Sequence, residues 1–175
     1  MNLDNLRKSI RVVENFPKDG INFMDITTLL NDGKIFNALI EHLFDRYKNM
    51  DIDYIAGIDS RGFIFGAPLA VKLGIGFVPV RKVGKLPSET YQVSYDLEYG
   101  KDTLEIHKDA FHNKKDAKII LIDDLLATGG TAEACIKLIN MTGAKVVESI
   151  FLINLKFLNG EKRVNSKIYS IINEN

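Results

Sequence analysis

Short apolar runs alternate with stretches of helical periodicity from residue 54 onwards. Runs of strand length occur near residues 54–58, 76–81, 118–122 and 145–154. Apolar positions at helical spacing occur near residues 63–73 and 131–141. Alternating strands and helices predict an α/β fold with a central, mostly parallel sheet flanked by helices, and ligands bind such sheets beyond the carboxyl ends of the strands.

Two regions of the chain depart from this alternation of strands and helices. Before residue 54 the pattern predicts helices near residues 3–14 and 34–47, with a loop at 16–20 between them. The long stretch between Arg81 and Lys118 is polar and rich in tyrosine, and it contains Gly84, Pro87 and Gly100. Those residues favour a hairpin or flap over a crossover helix, and long connections in compact domains are often lids.

Composition narrows the class of protein. The chain has 175 residues, of which 46% are apolar and 26% charged, so we expect one domain, residues 1–175, with a substantial core. It has no signal-peptide pattern and no apolar stretch of membrane-spanning length, which predicts a cytoplasmic protein without a membrane partner. The formal net charge is zero, which argues against nucleic acid as a partner. The single cysteine, Cys135, excludes an internal disulfide and is expected to be a packing residue.

The most informative segment is residues 119–131. A wholly aliphatic run, residues 119–122, suits a strand buried on both faces, and two carboxylates, Asp123 and Asp124, are expected directly after it. The following Ala127-Thr128-Gly129-Gly130-Thr131 combines glycines, which allow a tight turn, with hydroxyl donors. Since a helix is predicted to begin here, the loop is suited to bind the phosphate of a sugar phosphate at the helix amino terminus.

Other nucleotide-binding loops can be excluded from the sequence. No Gly-x-x-x-x-Gly-Lys-Ser/Thr occurs, and Gly74-Ile75-Gly76 lacks the third glycine of a dinucleotide fingerprint. A purely structural turn at Asp123 and Asp124 remains an alternative.

Two further loops follow predicted strands. Asp59-Ser60-Arg61-Gly62 could receive a second phosphate group, because a guanidinium offers a fork of donors that matches phosphate oxygens. An ordinary strand-to-helix turn is the alternative. Arg81, Lys82 and Lys85 place cations at the end of another strand, although such a cluster is usually a solvated loop.

These loops resemble the phosphoribosyl-diphosphate (PRPP) sites of the type I phosphoribosyltransferases. Nearly the whole chain shares the resemblance, and within the family it is to the branch that uses adenine. It is carried by residues 16–27, 54–63, 81–87, 95–100 and 123–131. The resemblance implies that fold, with an amino-terminal hood at about residues 1–33 and a flexible flap at about residues 82–107. It also implies purine salvage, with adenine and PRPP as substrates, Mg²⁺ as cofactor and a homodimer.

The resemblance also implies roles for individual residues. Glu98 in the flap, Arg61 and Asp124 are expected to be catalytic. Base binding is expected from Asn22, Phe23 and Met24. Mg²⁺ is expected to be held mainly by PRPP and water, without protein ligands of its own. PRPP binding is expected from Asp59, Ser60, Arg61, Gly62, Arg81, Lys82, Lys85, Asp123, Asp124, Ala127, Thr128, Gly129, Gly130 and Thr131.

Two positions depart from the pattern of that branch. Met24 stands where an arginine is common and Thr28 where a proline is common. The arginine helps to shape the base pocket in relatives, so the identity of the base is the least supported part of the prediction. A transferase for hypoxanthine, guanine or xanthine is one alternative. A PRPP-sensing regulator is another, but it would need a DNA-binding appendage or a basic face.

Overall fold

The computed structural model describes residues 3–96 and 100–175, and the chain divides into two units between Lys48 and Asn49. The first unit contains three helices and a two-stranded sheet. Its elements are α1 (Leu3–Ser9), β1 (Arg11–Val13), β2 (Phe23–Asp25), α2 (Thr27–Leu30) and α3 (Gly33–Tyr47). Helix α3 begins where predicted, because the Asp32 side chain accepts hydrogen bonds from the backbone N–H groups of Lys34 and Ile35.

The predicted helix at residues 3–14 is wrong in its second half. Helix α1 ends at Ser9, and the next residues form β1, which pairs antiparallel with β2. The Arg11 side chain bonds to Asp25, with Nε 3.0 Å from Oδ2, and its backbone N–H donates to Thr28 Oγ1. Two β-branched residues, Val12 and Val13, complete the strand. These contacts with distant residues outweigh the helical periodicity.

The second unit is built on a sheet that has seven strands among the described residues, in the order β5-β6-β4-β3-β7-β8-β9. The strands are β3 (Tyr54–Ile58), β4 (Gly76–Lys82), β5 (Thr90–Asp96), β6 (Lys101–His107), β7 (Lys118–Leu126), β8 (Lys145–Leu155) and β9 (Lys167–Glu174). The helices are α4 (Arg61–Leu73) and α5 (Gly130–Met141), and two 3₁₀ turns follow β8 at Lys156–Leu158 and Gly160–Arg163.

The predicted fold class is confirmed. Five adjacent strands of the sheet, β4, β3, β7, β8 and β9, run parallel to one another. Strand β6 is antiparallel to both β4 and β5. Helix α4 approaches the face that carries Ile55 and Ile122. The opposite face packs in a buried cluster with α5 that includes Leu121 and Cys135. Successive strand residues point to opposite faces, so both faces of the central strands are covered. The structure buries Cys135 as predicted.

The region between Arg81 and Lys118 contains the predicted hairpin. Strands β5 and β6 pair from Thr90 opposite His107 to Asp96 opposite Lys101. The described part of the chain has no helix that is both long and apolar enough to cross a bilayer.

Two strands differ from the prediction. Strand β7 continues to Leu126 instead of ending at residue 122, so Asp123 and Asp124 lie within it. The reason is that β8 is also long and pairs with this extension, Leu125 with Ile153 and Leu126 with Asn154. Strand β9 was not predicted at all, although it forms the edge of the sheet.

Candidate active site

A cavity of about 180 Å³ lies at the carboxyl end of β7. Its lining combines one cation, one carboxylate and a loop that leads into α5. These residues are Arg61, Asp123, Leu125, Leu126, Ala127, Thr128, Gly129, Thr131, Ala132 and Phe151. The loops after β3 and β7 therefore meet at one edge of the sheet, as the parallel arrangement predicts.

Arg61 and Asp124 join these two loops. Arg61 is the first residue of α4, and its Nε lies 3.0 Å from Oδ2 of Asp124 on β7. The start of α4 comes this close to β7 because Gly62 has no side chain. A Cβ atom at Gly62 would lie 2.4 Å from the carbonyl oxygen of Ile122. The glycine is thus required by a close approach of two backbones, which also places the guanidinium over the carboxylates.

The two neighbouring carboxylates are poorly solvated. Asp124 is 2% exposed, and its backbone N–H donates to Oδ1 of Asp123 at 2.9 Å. Burial, together with the negative charge of Asp124, raises the pKa of Asp123 well above its ordinary value. Burial also raises the pKa of Asp124, and the Arg61 guanidinium opposes part of that rise. Such carboxylates are stabilised by hydrogen-bond donors, which the hydroxyl groups of a sugar supply.

The phosphate loop, residues 127–131, connects β7 to α5. Gly129 caps the helix with a φ of +82°, a left-handed conformation that a residue with a side chain rarely adopts. The first N–H groups of a helix have no partner within it, and they carry the positive end of the helix dipole. Since this loop lines the cavity, the geometry suits an anion such as a phosphate.

The loop after β3 contacts the end of β4. Arg81 Nε donates to Asp59 Oδ2 at 3.0 Å, and the Arg81 guanidinium lies 5.8 Å from the ring centre of Phe63. The peptide bond between Asp59 and Ser60 is cis, a feature that the sequence could not reveal. The predicted residues Asp59, Ser60, Arg61, Gly62 and Arg81 thus belong to one connected surface.

Lys82 and Lys85 occupy different environments. Lys82 Nζ lies 3.1 Å from Asp102 Oδ2, and a hydrogen bond to that carboxylate raises the pKa of Lys82. Lys85 lies in the loop after β4, whose backbone is held by Glu105. One oxygen of Glu105 accepts from the N–H groups of Lys85 and Leu86, each at 2.9 Å.

Glu105 was not predicted as a site residue. It is 2% exposed and lies on β6 between β4 and β5. Its second oxygen accepts from the Thr90 hydroxyl at 3.2 Å and the Gln92 amide at 3.4 Å. A signal was present in the sequence, because a glutamate between Leu104 and Ile106 in a strand requires several donors if it is buried.

The β5–β6 hairpin also reaches the phosphate loop. Burial raises the pKa of Tyr95 on β5, and a hydrogen bond with the Thr131 side chain opposes part of that rise. Tyr95 belongs to segment 95–100, which carries part of the resemblance, but its contact with Thr131 was not predicted. Glu98, the predicted acid or base of the flap, lies outside the described residues.

The predicted base-binding residues belong to the first unit. Phe23 and Met24 lie on β2, opposite Val13 and Val12 of β1, and Asn22 immediately precedes that strand. The ring of Phe23 packs edge-on against Phe16, with 5.3 Å between the ring centres. Phe16 is 51% exposed.

No group of three or more His, Cys, Asp or Glu residues that could hold a metal ion occurs within residues 3–96 and 100–175. Mg²⁺ prefers oxygen ligands, keeps several waters and often binds through substrate phosphates.

A parallel α/β sheet with paired carboxylates and a phosphate loop at one edge is typical of proteins that bind a phosphorylated sugar. The family model for the phosphoribosyl transferase domain matches residues 25–175. A curated relative, the adenine phosphoribosyltransferase of Wolinella succinogenes, is 58% identical over 161 residues, which are 92% of this chain and 88% of the relative.

Solved structures agree with this. The adenine phosphoribosyltransferase of Thermoanaerobacter pseudethanolicus has a TM-score of 0.93 and 49% identity, over 99% of this chain and 100% of that one. The enzyme of Saccharomyces cerevisiae, in complex with adenine and an imino-altritol bisphosphate, has a TM-score of 0.91 and 39% identity, over 97% of each chain. The chain therefore belongs to the phosphoribosyltransferase family and, within it, to the adenine phosphoribosyltransferases.

Proposed function

We propose that this protein transfers the 5-phosphoribosyl group of PRPP to adenine, with AMP and diphosphate as products, in purine salvage. One observation carries the proposal. Arg61, Asp123 and a phosphate loop at a helix amino terminus line the same small cavity, and Arg61 forms an ion pair with the neighbouring, buried Asp124. The identity of adenine as the base is supported by relatives of that name at more than half identity.

The 5-phosphate of PRPP is placed in the phosphate loop. Its oxygens accept hydrogen bonds from the backbone N–H groups of residues 127–131 and from the hydroxyl groups of Thr128 and Thr131. The positive end of the α5 dipole adds an attraction of about 0.3–1 kcal/mol for a charge at a helix terminus.

The ribose is held by Asp123 and Asp124, which accept from its 2- and 3-hydroxyl groups. In the structure Asp124 is bound to Arg61, so a ribose hydroxyl takes over part of the hydrogen bonding that the guanidinium supplies. Negative charge on these carboxylates also stabilises the positive charge that develops on the ribose ring in the transition state.

The diphosphate is bound by the loop after β3 and by cations at and after the end of β4. These residues are Asp59, Ser60, Arg61, Gly62, Arg81, Lys82 and Lys85. Phosphoribosyltransferases generally use Mg²⁺ together with PRPP. Such a metal, held mainly by PRPP and water, would supply positive charge that neutralises the leaving group. Arg61 and Arg81 share this work, since a guanidinium matches phosphate oxygens with two parallel donors.

The reaction is a displacement at C1 of the ribose. The bond between C1 and the diphosphate oxygen breaks, the diphosphate keeps the electron pair, and a ring nitrogen of adenine forms the new bond and loses its proton. Glu98 is placed at the base nitrogens as hydrogen-bond partner or acid-base group. Closure of the flap over the site would exclude water, which otherwise hydrolyses PRPP.

The base is assigned to Asn22, Phe23 and Met24, with Phe23 as the ring that stacks on the purine. The exposed Phe16 packs edge-on against that ring and fixes its orientation. We also place the active form as a homodimer in the cytoplasm. A solution mass near twice the 19.7 kDa of one chain, measured by light scattering, tests the dimer.

The test of this function is nucleotide formation from PRPP, Mg²⁺ and each purine supplied separately. We expect AMP from adenine and much slower turnover of hypoxanthine, guanine and xanthine. Turnover of another purine without turnover of adenine would replace the substrate. Binding of PRPP without turnover of any base would indicate a sensor.

A further inference from the structure

The rear loop, residues 159–163, contacts the backbone of the phosphate loop and contributes no residue to the lining of the cavity. We propose that this loop holds the phosphate loop in the shape that binds the 5-phosphate, and that Gly160 and Arg163 are its positioning residues. The inference rests on the proposed function, because it takes PRPP as the ligand of the phosphate loop.

Gly160 is in direct backbone contact with the phosphate loop. A Cβ atom at Gly160 would lie 2.1 Å from the carbonyl oxygen of Ala127 and 2.9 Å from the nitrogen of Gly129. Conversely, a Cβ atom at Gly129 would lie 2.3 Å from the carbonyl oxygen of Gly160. The φ of Gly160 is outside the left-handed region, so close approach, rather than turn geometry, requires glycine at this position.

Arg163 connects the rear loop to the first turn of α5. Its Nε donates to Oε2 of Glu133 at 2.8 Å, and Glu133 lies in that turn. Its Nη1 lies 3.3 Å from the position that a Cβ atom of Gly130 would take. The arginine therefore contacts the backbone at the point where the phosphate loop becomes helix.

The rear loop is itself fixed to the sheet. Asn154, which is fully buried at the end of β8, donates through Nδ2 to Oε1 of Glu161 at 2.7 Å. Lys156 forms an ion pair with the same carboxylate. Asn154 is also the strand partner of Leu126, the residue that precedes the phosphate loop. Both loops thus start from neighbouring positions on two paired strands.

This arrangement gives the rear loop a role in binding. Backbone N–H groups bind a phosphate only when donor and acceptor are about 2.7–3.2 Å apart and well aligned. A shift of the phosphate loop by a few tenths of an ångström would therefore weaken several hydrogen bonds at once. The rear loop opposes such a shift through its contacts with residues 127–133.

The experiment compares three variants with the wild type by calorimetric titration with PRPP and Mg²⁺, and by thermal unfolding. Gly160→Ala introduces the clash with Ala127, and Arg163→Ala removes the contacts with Glu133 and Gly130. Gly33→Ala is the matched control, because a Cβ atom there meets nothing within 4 Å and its φ is not left-handed.

We expect the Kd for PRPP to rise by about tenfold or more in Gly160→Ala and by about threefold to tenfold in Arg163→Ala, as for loss of backbone positioning. Gly33→Ala should bind PRPP like the wild type. In steady state, the KM for adenine at saturating PRPP should stay within about twofold in every variant. A role in folding alone would lower the melting temperature and leave the Kd unchanged.

Wild-type affinity for PRPP in folded Gly160→Ala and Arg163→Ala overturns the inference. If Gly160→Ala does not fold, the Kd of Arg163→Ala for PRPP tests the inference by itself, since this substitution alters only a partly exposed side chain. A wild-type protein that does not bind PRPP contradicts the proposed function instead, so the two failures are distinguishable.

Discussion

The ion pair between Arg61 and Asp124 is the most informative contact between single residues. Asp124 is 2% exposed, whereas the Arg61 side chain is 42% exposed. The guanidinium therefore keeps donors towards solvent while one N–H holds the carboxylate. This geometry allows Arg61 to bind a phosphate group while it still contacts Asp124, which we propose as a ribose-binding residue.

Replacing Asp124 by Asn tests the role of its charge. We expect kcat/KM for PRPP to fall by about tenfold or more, equivalent to about 1.4 kcal/mol of transition-state stabilisation. The amide keeps the shape of the carboxylate but loses the negative charge and one acceptor. Steady-state kinetics at saturating adenine measure the effect.

The same variant should be at least as stable as the wild type. The folded-state pKa of Asp124 is raised above 3.8, so the unfolding free energy of the wild type falls as pH rises from the unfolded pKa through the folded one. Asparagine does not ionise, so the variant does not lose this part of the free energy of unfolding as pH rises. The control is Asp116→Asn, which removes an exposed partner of Lys145. Equal activity of the Asp124 variant and this control would contradict the role in ribose binding.

Sequence alone predicted Asp123, Asp124 and the glycines of the phosphate loop as site residues, because adjacent carboxylates and glycines after an apolar run favour ligand binding over a structural turn. It did not predict Glu105 or Gly160. Their roles depend on which segments fold against them, Leu86 and Gln92 for Glu105 and Ala127 for Gly160. The sequence does not show which residues will make these contacts, because the contacting residues are distant from one another along the chain.

At the level of elements, the loop after β4 depends on β6. The carboxylate of Glu105 accepts hydrogen bonds from Lys85, Leu86, Thr90 and Gln92 and so connects β6 to both sides of this loop. Burial by itself raises the pKa of Glu105, but these hydrogen bonds outweigh it and leave the pKa below the ordinary value of 4.5.

We predict that Glu105→Gln lowers the free energy of unfolding at pH 7 by about 1–3 kcal/mol, because two donors then face an amide NH₂ group. A lowered carboxyl pKa contributes stability that is present above the unfolded pKa and is lost as pH falls through the folded pKa. The difference between variant and wild type should therefore narrow below pH 4.5.

Urea unfolding between pH 3 and pH 8, at intervals of about half a unit, measures this difference. The matched control is Glu89→Gln, since the Glu89 side chain is 81% exposed and forms an ion pair with Lys108. A constant difference across the pH range would mean that the charge of Glu105 contributes nothing to the loop.

Elements with a strong local pattern were predicted well. Strand β3 has the predicted bounds, and helices α3 and α5 each begin within one residue of their own predicted start. Strand β9 was missed because its burial is mixed, with exposed residues at Lys167 and Asn173, and only its pairing with β8 makes it a strand. Helix α1 is shorter than predicted for a similar reason, since β1 exists only through pairing with β2.

For the whole molecule, the alternation of strands and helices sufficed to predict the parallel sheet and the edge at which its loops meet. Adjacent β4, β3 and β7 bring Arg81 to Asp59 and Arg61 to Asp124. The order of strands could not be predicted, because it depends on pairing between distant segments. The roles of all the predicted site residues, including Asn22, Phe23, Met24 and Glu98, stay predictions.

A requirement for a metal would be a property of the complete reaction. Since Mg²⁺ often binds through substrate phosphates, we expect it to bind with PRPP rather than to the protein alone. Excess EDTA should abolish turnover without changing the melting temperature of the unliganded protein, and added Mg²⁺ should restore the rate. A lower melting temperature in EDTA would indicate a metal bound by the protein itself.

The activity expected of this chain is the transfer of the phosphoribosyl group of PRPP to adenine. The most direct measurement supplies PRPP and Mg²⁺ with equal concentrations of adenine and hypoxanthine and separates the nucleotides by chromatography. We expect AMP to exceed IMP by about a hundredfold or more, because a site that hydrogen-bonds one exocyclic group rejects a base without it. IMP in equal or greater amount, or no nucleotide at all, would contradict the account.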